Sequence, residues 1–275
     1  MVRSDAVFVT GHIPRAVALG VLLTAGVSWI AVYFMMNSIM GMSSAGDMSA
    51  GAPLAAMSML FASINPQFFA FFLLIWVAGM VAMMFPAMLG VVSVYYGMVA
   101  EAYFPSKAGR MGGLVTFLAG YLSLYALLGV GAYFVVYLAF YVGMFLPSEA
   151  YVTAIAGGLL VVTGIWQLTP LKDACLRRCV SPVGFFYTHT KGGYLGALRM
   201  GMEHGYYCVG CCFLYMLVML GVAAMSLPSM ALLTAIIVLE KVIVKGATWF
   251  TRIIAVGFMA LGVAVWAFPG LLAVL

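Results

Sequence analysis

Hydrophobic positions along this chain come in long, nearly unbroken runs separated by short polar stretches. The runs fill about 16–36, 66–100, 113–140, 151–168, 201–225, 229–244 and 253–275. A bilayer core is crossed by about 20 apolar residues in a helix, and a helix satisfies its own backbone there. The pattern therefore predicts an all-α fold, a polytopic transmembrane helical bundle of about seven spans. It leaves no room for a separate soluble domain, so 1–275 is read as one integral membrane domain.

Details of the runs refine this reading. The run at 66–100 is longer than a bilayer requires and contains Pro86, which predicts a kinked or broken span. Residues 1–15 form a short polar arm, and residues 37–65, rich in Met, Gly, Ser and Ala, read as a loop whose only charge is Asp47. The apolar run after Arg15 exceeds a secretory h-region and ends in Met-Asn-Ser-Ile-Met, so no cleaved signal peptide is expected.

Composition strengthens the membrane reading. Apolar residues make up 66% of the chain and charged residues 7%, where a soluble domain carries roughly 25% charged residues. The net charge of +5 does not suggest nucleic acid, because the cations are segregated. All 12 Lys and Arg lie in the N-terminal arm and in 101–112, 169–200 and 241–252; the intervening loops carry only Asp47 and Glu149. The positive-inside rule then places the N-terminus and these loops in the cytoplasm, and the 37–65 loop outside. With seven spans the C-terminus is outside too, and the protein is integral to the cytoplasmic membrane.

One segment stands apart. All five cysteines and two of the three histidines lie between Gln167 and Met219. Cys175 and Cys179 are an i,i+4 pair on one helix face. His204, Cys208 and Cys211 or Cys212 share another stripe at i, i+4 and i+7 or i+8. A hairpin joining the fourth and fifth runs brings the two groups to one depth. Cys175, Cys179, Cys208, Cys211, Cys212 and His204 are thus candidate metal ligands, with Arg177, Arg178 and Lys172 offsetting thiolate charge. Thiols at a cytoplasmic face stay reduced, which argues against a structural disulfide.

Methionine, at 22 residues, is also in excess. Met80, Met84 and Met88 form an i, i+4, i+8 stripe, and Met216 and Met219 continue the cysteine face. Thioethers and thiolates favour Cu(I), so copper is the first choice of ion and zinc the alternative; methionines that merely fill gaps between helices are the plainer reading. Glu203 and His204 read either as functional groups or as residues facing interfacial water. Glu240 and Lys241 read either as an interfacial pair or, for Glu240, as a carboxylate partner of the basic 170–180 segment.

Five motifs together resemble a bacterial and archaeal family of predicted metal-binding integral membrane proteins of unknown function. They are Trp76 to Met88 (W-x6-M-M-x-P-A-M), Gln167 to Cys179 (Q-L-T-P-L-K-x-x-C-L-x-x-C), Pro182 to Phe186 (P-x-G-F-F), Gly201 to Cys212 (G-x-x-x-G-x-x-C-x-G-C-C) and Glu240-Lys241. The resemblance covers roughly 70–245 and implies a metal without naming it. Phe213 follows the cysteine pair where the family pattern has Trp, and Glu203-His204 replace small residues.

The function expected is to hold, deliver or move the ion, or to serve as an accessory subunit of a membrane metalloenzyme; the chain is read as a binder more than as an enzyme. Its expected partners are the lipid bilayer, other membrane subunits or a soluble metal carrier. No nucleotide-binding motif is present, and neither nucleotide nor nucleic acid is an expected partner. A membrane thiol–disulfide electron carrier and a metal-free structural subunit are the alternatives.

Overall fold

The computed structural model describes residues 15–43, 66–145, 149–222 and 226–273. The polar arm before Arg15, the loop before Pro66 with Asp47, and Pro147 lie outside the described residues. Among the described residues all regular structure is helical, and no strand occurs. The α-helices are α1 (Arg15–Ser43), α2 (Pro66–Met84), α3 (Leu89–Val94), α4 (Ala100–Tyr103), α5 (Lys107–Phe145) and α6 (Glu149–Gln167). They continue with α7 (Pro170–Val180), α8 (Pro182–His189), α9 (Gly193–Gly221), α10 (Leu227–Val238) and α11 (Thr248–Ala267).

Five of these helices are long and apolar enough to cross a membrane: α1, α2, α5, α9 and α11. The pair α6–α7, bent by 67°, makes a sixth if it counts as one span. The expected count of about seven is therefore not confirmed among the described residues, for two local reasons. The fourth apolar run ends in a break at Leu168-Thr169-Pro170, where Thr169 caps α7 by accepting from the Lys172 amide at 3.3 Å and Pro170 takes the first helical position. The sixth run is the short α10 followed by a π-helical turn, Leu239–Ile243.

The expected interruption near Pro86 is present. Proline lacks the N–H that would continue the α ladder, so α2 stops at Met84 and a 3-10 turn spans Pro86–Met88 before α3. A further π turn, Tyr95–Val99, precedes α4.

Helix α9 sits at the centre and α1 at the edge: 61% of the apolar window of α9 is buried, against 22% for α1. The close packing of α9 on α5 is made by glycine. A Cβ at Gly120 would lie 2.1 Å from the Leu198 carbonyl oxygen, and one at Gly201 would lie 2.0 Å from the Phe117 carbonyl oxygen. The backbones of α5 and α9 therefore touch, the kind of approach small residues allow between apolar helices. Helices α6 and α11 meet similarly, with a Gly262 Cβ falling 2.7 Å from the Gly157 carbonyl oxygen. Tryptophans lock further seams: Trp76 Nε1 donates to the Tyr125 carbonyl at 2.8 Å and Trp29 Nε1 to the Ala82 carbonyl at 3.2 Å.

Candidate metal centre

The site forms where α7, α9, α5 and the π turn after α10 converge. Helix α7 has a buried face made of Lys172, Cys175, Leu176 and Cys179, which recur at helical spacing. Asp173 in its first turn and Arg177 and Arg178 in its last suit the helix dipole. Helix α9 buries His204, Cys208, Cys211 and Cys212.

These two faces meet sulfur to sulfur. The Sγ atoms of Cys179, Cys208 and Cys211 all lie within 4.8 Å of one another. Cys211 Sγ is 3.8 Å from Cys179 Sγ and 3.4 Å from Cys212 Sγ, and all five cysteines are free thiols. The expected approach of the two cysteine groups thus occurs. An ion bound trigonally at about 2.3 Å from each sulfur needs sulfurs about 4.0 Å apart. The trio is already near that spacing, so a soft ion fits with small side-chain adjustments.

Cys208 has the richest surroundings. Lys241 Nζ donates to its sulfur at 2.8 Å, and the Tyr121 hydroxyl lies 3.1 Å away. Tyr121 in turn donates to the Tyr125 hydroxyl at 3.2 Å, whose backbone carbonyl is the one held by Trp76. Tyr121 and Tyr125 were not among the sequence candidates. Their i,i+4 spacing inside an apolar run is the signal that could have marked them.

Cys175 lies outside the close trio and packs against α9 at Gly210, where an added Cβ would sit 2.7 Å from its sulfur. His204 also lies outside the trio, one turn before Cys208. Its ring is enclosed by Phe185 at 5.1 Å, Tyr121 at 6.2 Å and Phe117 at 6.4 Å, and its Nδ1 has no hydrogen-bond partner among the described residues. It is buried, so the reading of His204 as a water-facing residue is corrected. Glu203 is part-exposed and pairs with Lys191.

The Glu240-Lys241 dipeptide does not face solvent. Both side chains are buried on the π turn Leu239–Ile243. Glu240 accepts from Lys172, as the sharper reading of the sequence expected, and Lys241 turns to Cys208. Lys172 was expected to offset thiolate charge; Lys241 takes that place. Lys172 and Lys241, 0% and 7% exposed, are also withdrawn from the aqueous loops to which the charge pattern assigned them. Met80, Met83, Met84, Met88, Met216 and Met219 are all buried.

Residues 73–265 match the family model PpoB2, described as a copper chaperone. The match covers well over half of the chain. It bears out the metal-related part of the resemblance seen in the sequence, under a different description from that of the membrane-protein family. No curated protein and no solved structure matches the chain.

Proposed function

This chain belongs to the PpoB2 copper chaperone family, and from that premise we propose that it is a membrane-embedded Cu(I) carrier that holds the ion on Cys179, Cys208 and Cys211. The observation that carries this reading is the trio of buried sulfurs within 4.8 Å of one another, contributed by two helices. Soft thiolates select Cu(I) over harder cations. Copper here is cargo: it passes between thiolates by stepwise exchange, with Cys212, Cys175 and His204 as flanking donors from which it arrives or to which it leaves. Lys241 supplies a cation beside Cys208, which offsets the cost of gathering thiolates in an apolar interior.

The chain sits in the cytoplasmic membrane with its N-terminus inside, so the basic helix α7 faces the reducing compartment. A soluble metal carrier or a membrane partner subunit delivers or receives the ion there. Zinc is the rival cargo, since thiolates also suit it. The gathering of both cysteine groups in one cluster favours a holder of ions over a carrier of electrons between two faces.

Protein purified in mild detergent without chelators, or loaded with Cu(I) under reducing conditions, carries stoichiometric copper on this reading. The double variant Cys208→Ser, Cys211→Ser loses it while its helices stay inserted. Wild-type protein that contains neither copper nor zinc and takes up none overturns the proposal. Stoichiometric zinc with indifference to Cu(I) replaces copper by its rival.

A further inference from the structure

All five cysteines are on α7 or its neighbour α9, and α7 lies outside the glycine seam that fixes α9 to α5. Cys179 therefore reaches Cys208 and Cys211 only if α7 is set correctly against α9. The break at Leu168-Thr169 gives α7 no helical continuity with α6, and the two axes differ by 67°. Something other than the chain direction has to place it.

The buried ion pair does so. Lys172 and Glu240 are both 0% exposed and pair directly. Lys172 also donates to Gln167 at the end of α6, and it stands 5.4 Å from the centroid of the Tyr215 ring on α9. Thr251 of α11 donates to Glu240 at 3.5 Å. One charge pair thus ties together α6, α7, α9, α11 and the π turn. A charge buried this deeply is costly unless paired, so the position of the Lys172 ammonium is strongly specified.

Cys179 lies seven residues after Lys172 on the same face, about 10 Å along the axis at 1.5 Å per residue. The π turn holds the other end of the same construction: Glu240 receives Lys172, and its neighbour Lys241 reaches Cys208. We propose that Lys172 and Glu240 are positioning residues of the metal site: their ion pair sets α7 so that Cys179 closes the site over Cys208 and Cys211. The proposal rests on the copper reading for its purpose, but the geometry it asserts is independent of any metal.

The test is disulfide formation in metal-free, full-length protein in which Cys175, Cys208 and Cys212 are replaced by Ser. Diamide, an azodicarboxamide oxidant, takes two electrons and two protons from the Cys179 and Cys211 thiols and is reduced to its hydrazine. The remaining thiols are counted over time by alkylation and mass spectrometry. Lys172→Met slows cross-linking at least tenfold, and Lys172→Arg restores a rate within about threefold of the parent. Lys172→Met, Glu240→Leu removes both charges and so leaves none unpaired in the interior. It keeps its helical content and still cross-links at least fivefold more slowly.

Parent-like rates in the folded double variant overturn the proposal, as does a failure of Lys172→Arg to rescue. Copper content of the wild-type protein is measured alongside. Slowed cross-linking in a protein that binds no copper sinks the carrier reading and leaves the positioning role standing. Copper binding with unchanged cross-linking does the reverse.

Discussion

At the scale of single residues, the five cysteines divide. Cys179, Cys208 and Cys211 share one small volume, whereas Cys175 faces Gly210. Replacing any of the three with Ser is expected to weaken Cu(I) binding at least tenfold, about 1.4 kcal/mol or more; Cys175→Ser should leave it within threefold. Competition with a Cu(I)-selective chelator measures both. Lys241→Met should also weaken binding by about tenfold, because the gathered thiolates lose their neighbouring cation. An unchanged affinity would mean that Lys241 serves packing alone. The cysteines were legible in the sequence because i,i+4 and i,i+7 spacings are local and the residue type is rare elsewhere. Tyr121 and the destination of Lys241 were not, because each depends on contacts between residues far apart in the chain. Glu240 stood between these cases: a carboxylate in an apolar run announces a partner, and the sequence offered two, its neighbour Lys241 and the basic 170–180 segment.

Among the elements, the two π turns and the broken helices are where the sequence reading was coarsest. An apolar run predicts a helix, but its hydrophobicity does not tell an α turn from a π turn. Nor did the length of the fourth run reveal the 67° change of direction at Leu168-Thr169. The proline at 86 was readable because its missing N–H acts locally. The π turn at Leu239–Ile243 has a consequence that can be measured. Deleting Ile243 would return the turn to α geometry, in which successive side chains are spread by 3.6 residues per turn. Glu240 and Lys241 would then turn about the helix axis away from their present partners, Lys172 and Cys208. Copper affinity should fall at least tenfold while the circular dichroism of the helices is unchanged. Retention of full affinity would show that the paired inward orientation is dispensable.

For the whole molecule, the hydropathy pattern conveyed the class of fold, and it placed a helix at each apolar run among the described residues. It did not convey which helices cross, because length and continuity after folding decide that. Labelling measures the orientation drawn from the charge pattern. Single cysteines introduced at 107 and 191 in a cysteine-free background should react with a membrane-impermeant maleimide in inverted vesicles and not in intact cells. The opposite result would place the basic loops outside and move the metal cluster to the external side.

The α5–α9 seam carries one more consequence, for how such a sequence is able to vary. At Gly120 and Gly201 a single added methyl would lie about 2 Å from a carbonyl oxygen of the other helix, where neither backbone can yield without displacing the other. At Gly210 it would strike Cys175 Sγ instead, a side chain that can turn aside. Natural variants of this protein should therefore keep glycine at 120 and 201 even where the outer faces of α1 and α11 drift freely among apolar residues. Position 210 should accept alanine chiefly in sequences where 175 is also smaller. Substitution at 120 or 201 would push apart the helix that carries Tyr121 and the helix that carries Cys208, and so a change with no donor atom of its own would erase the site.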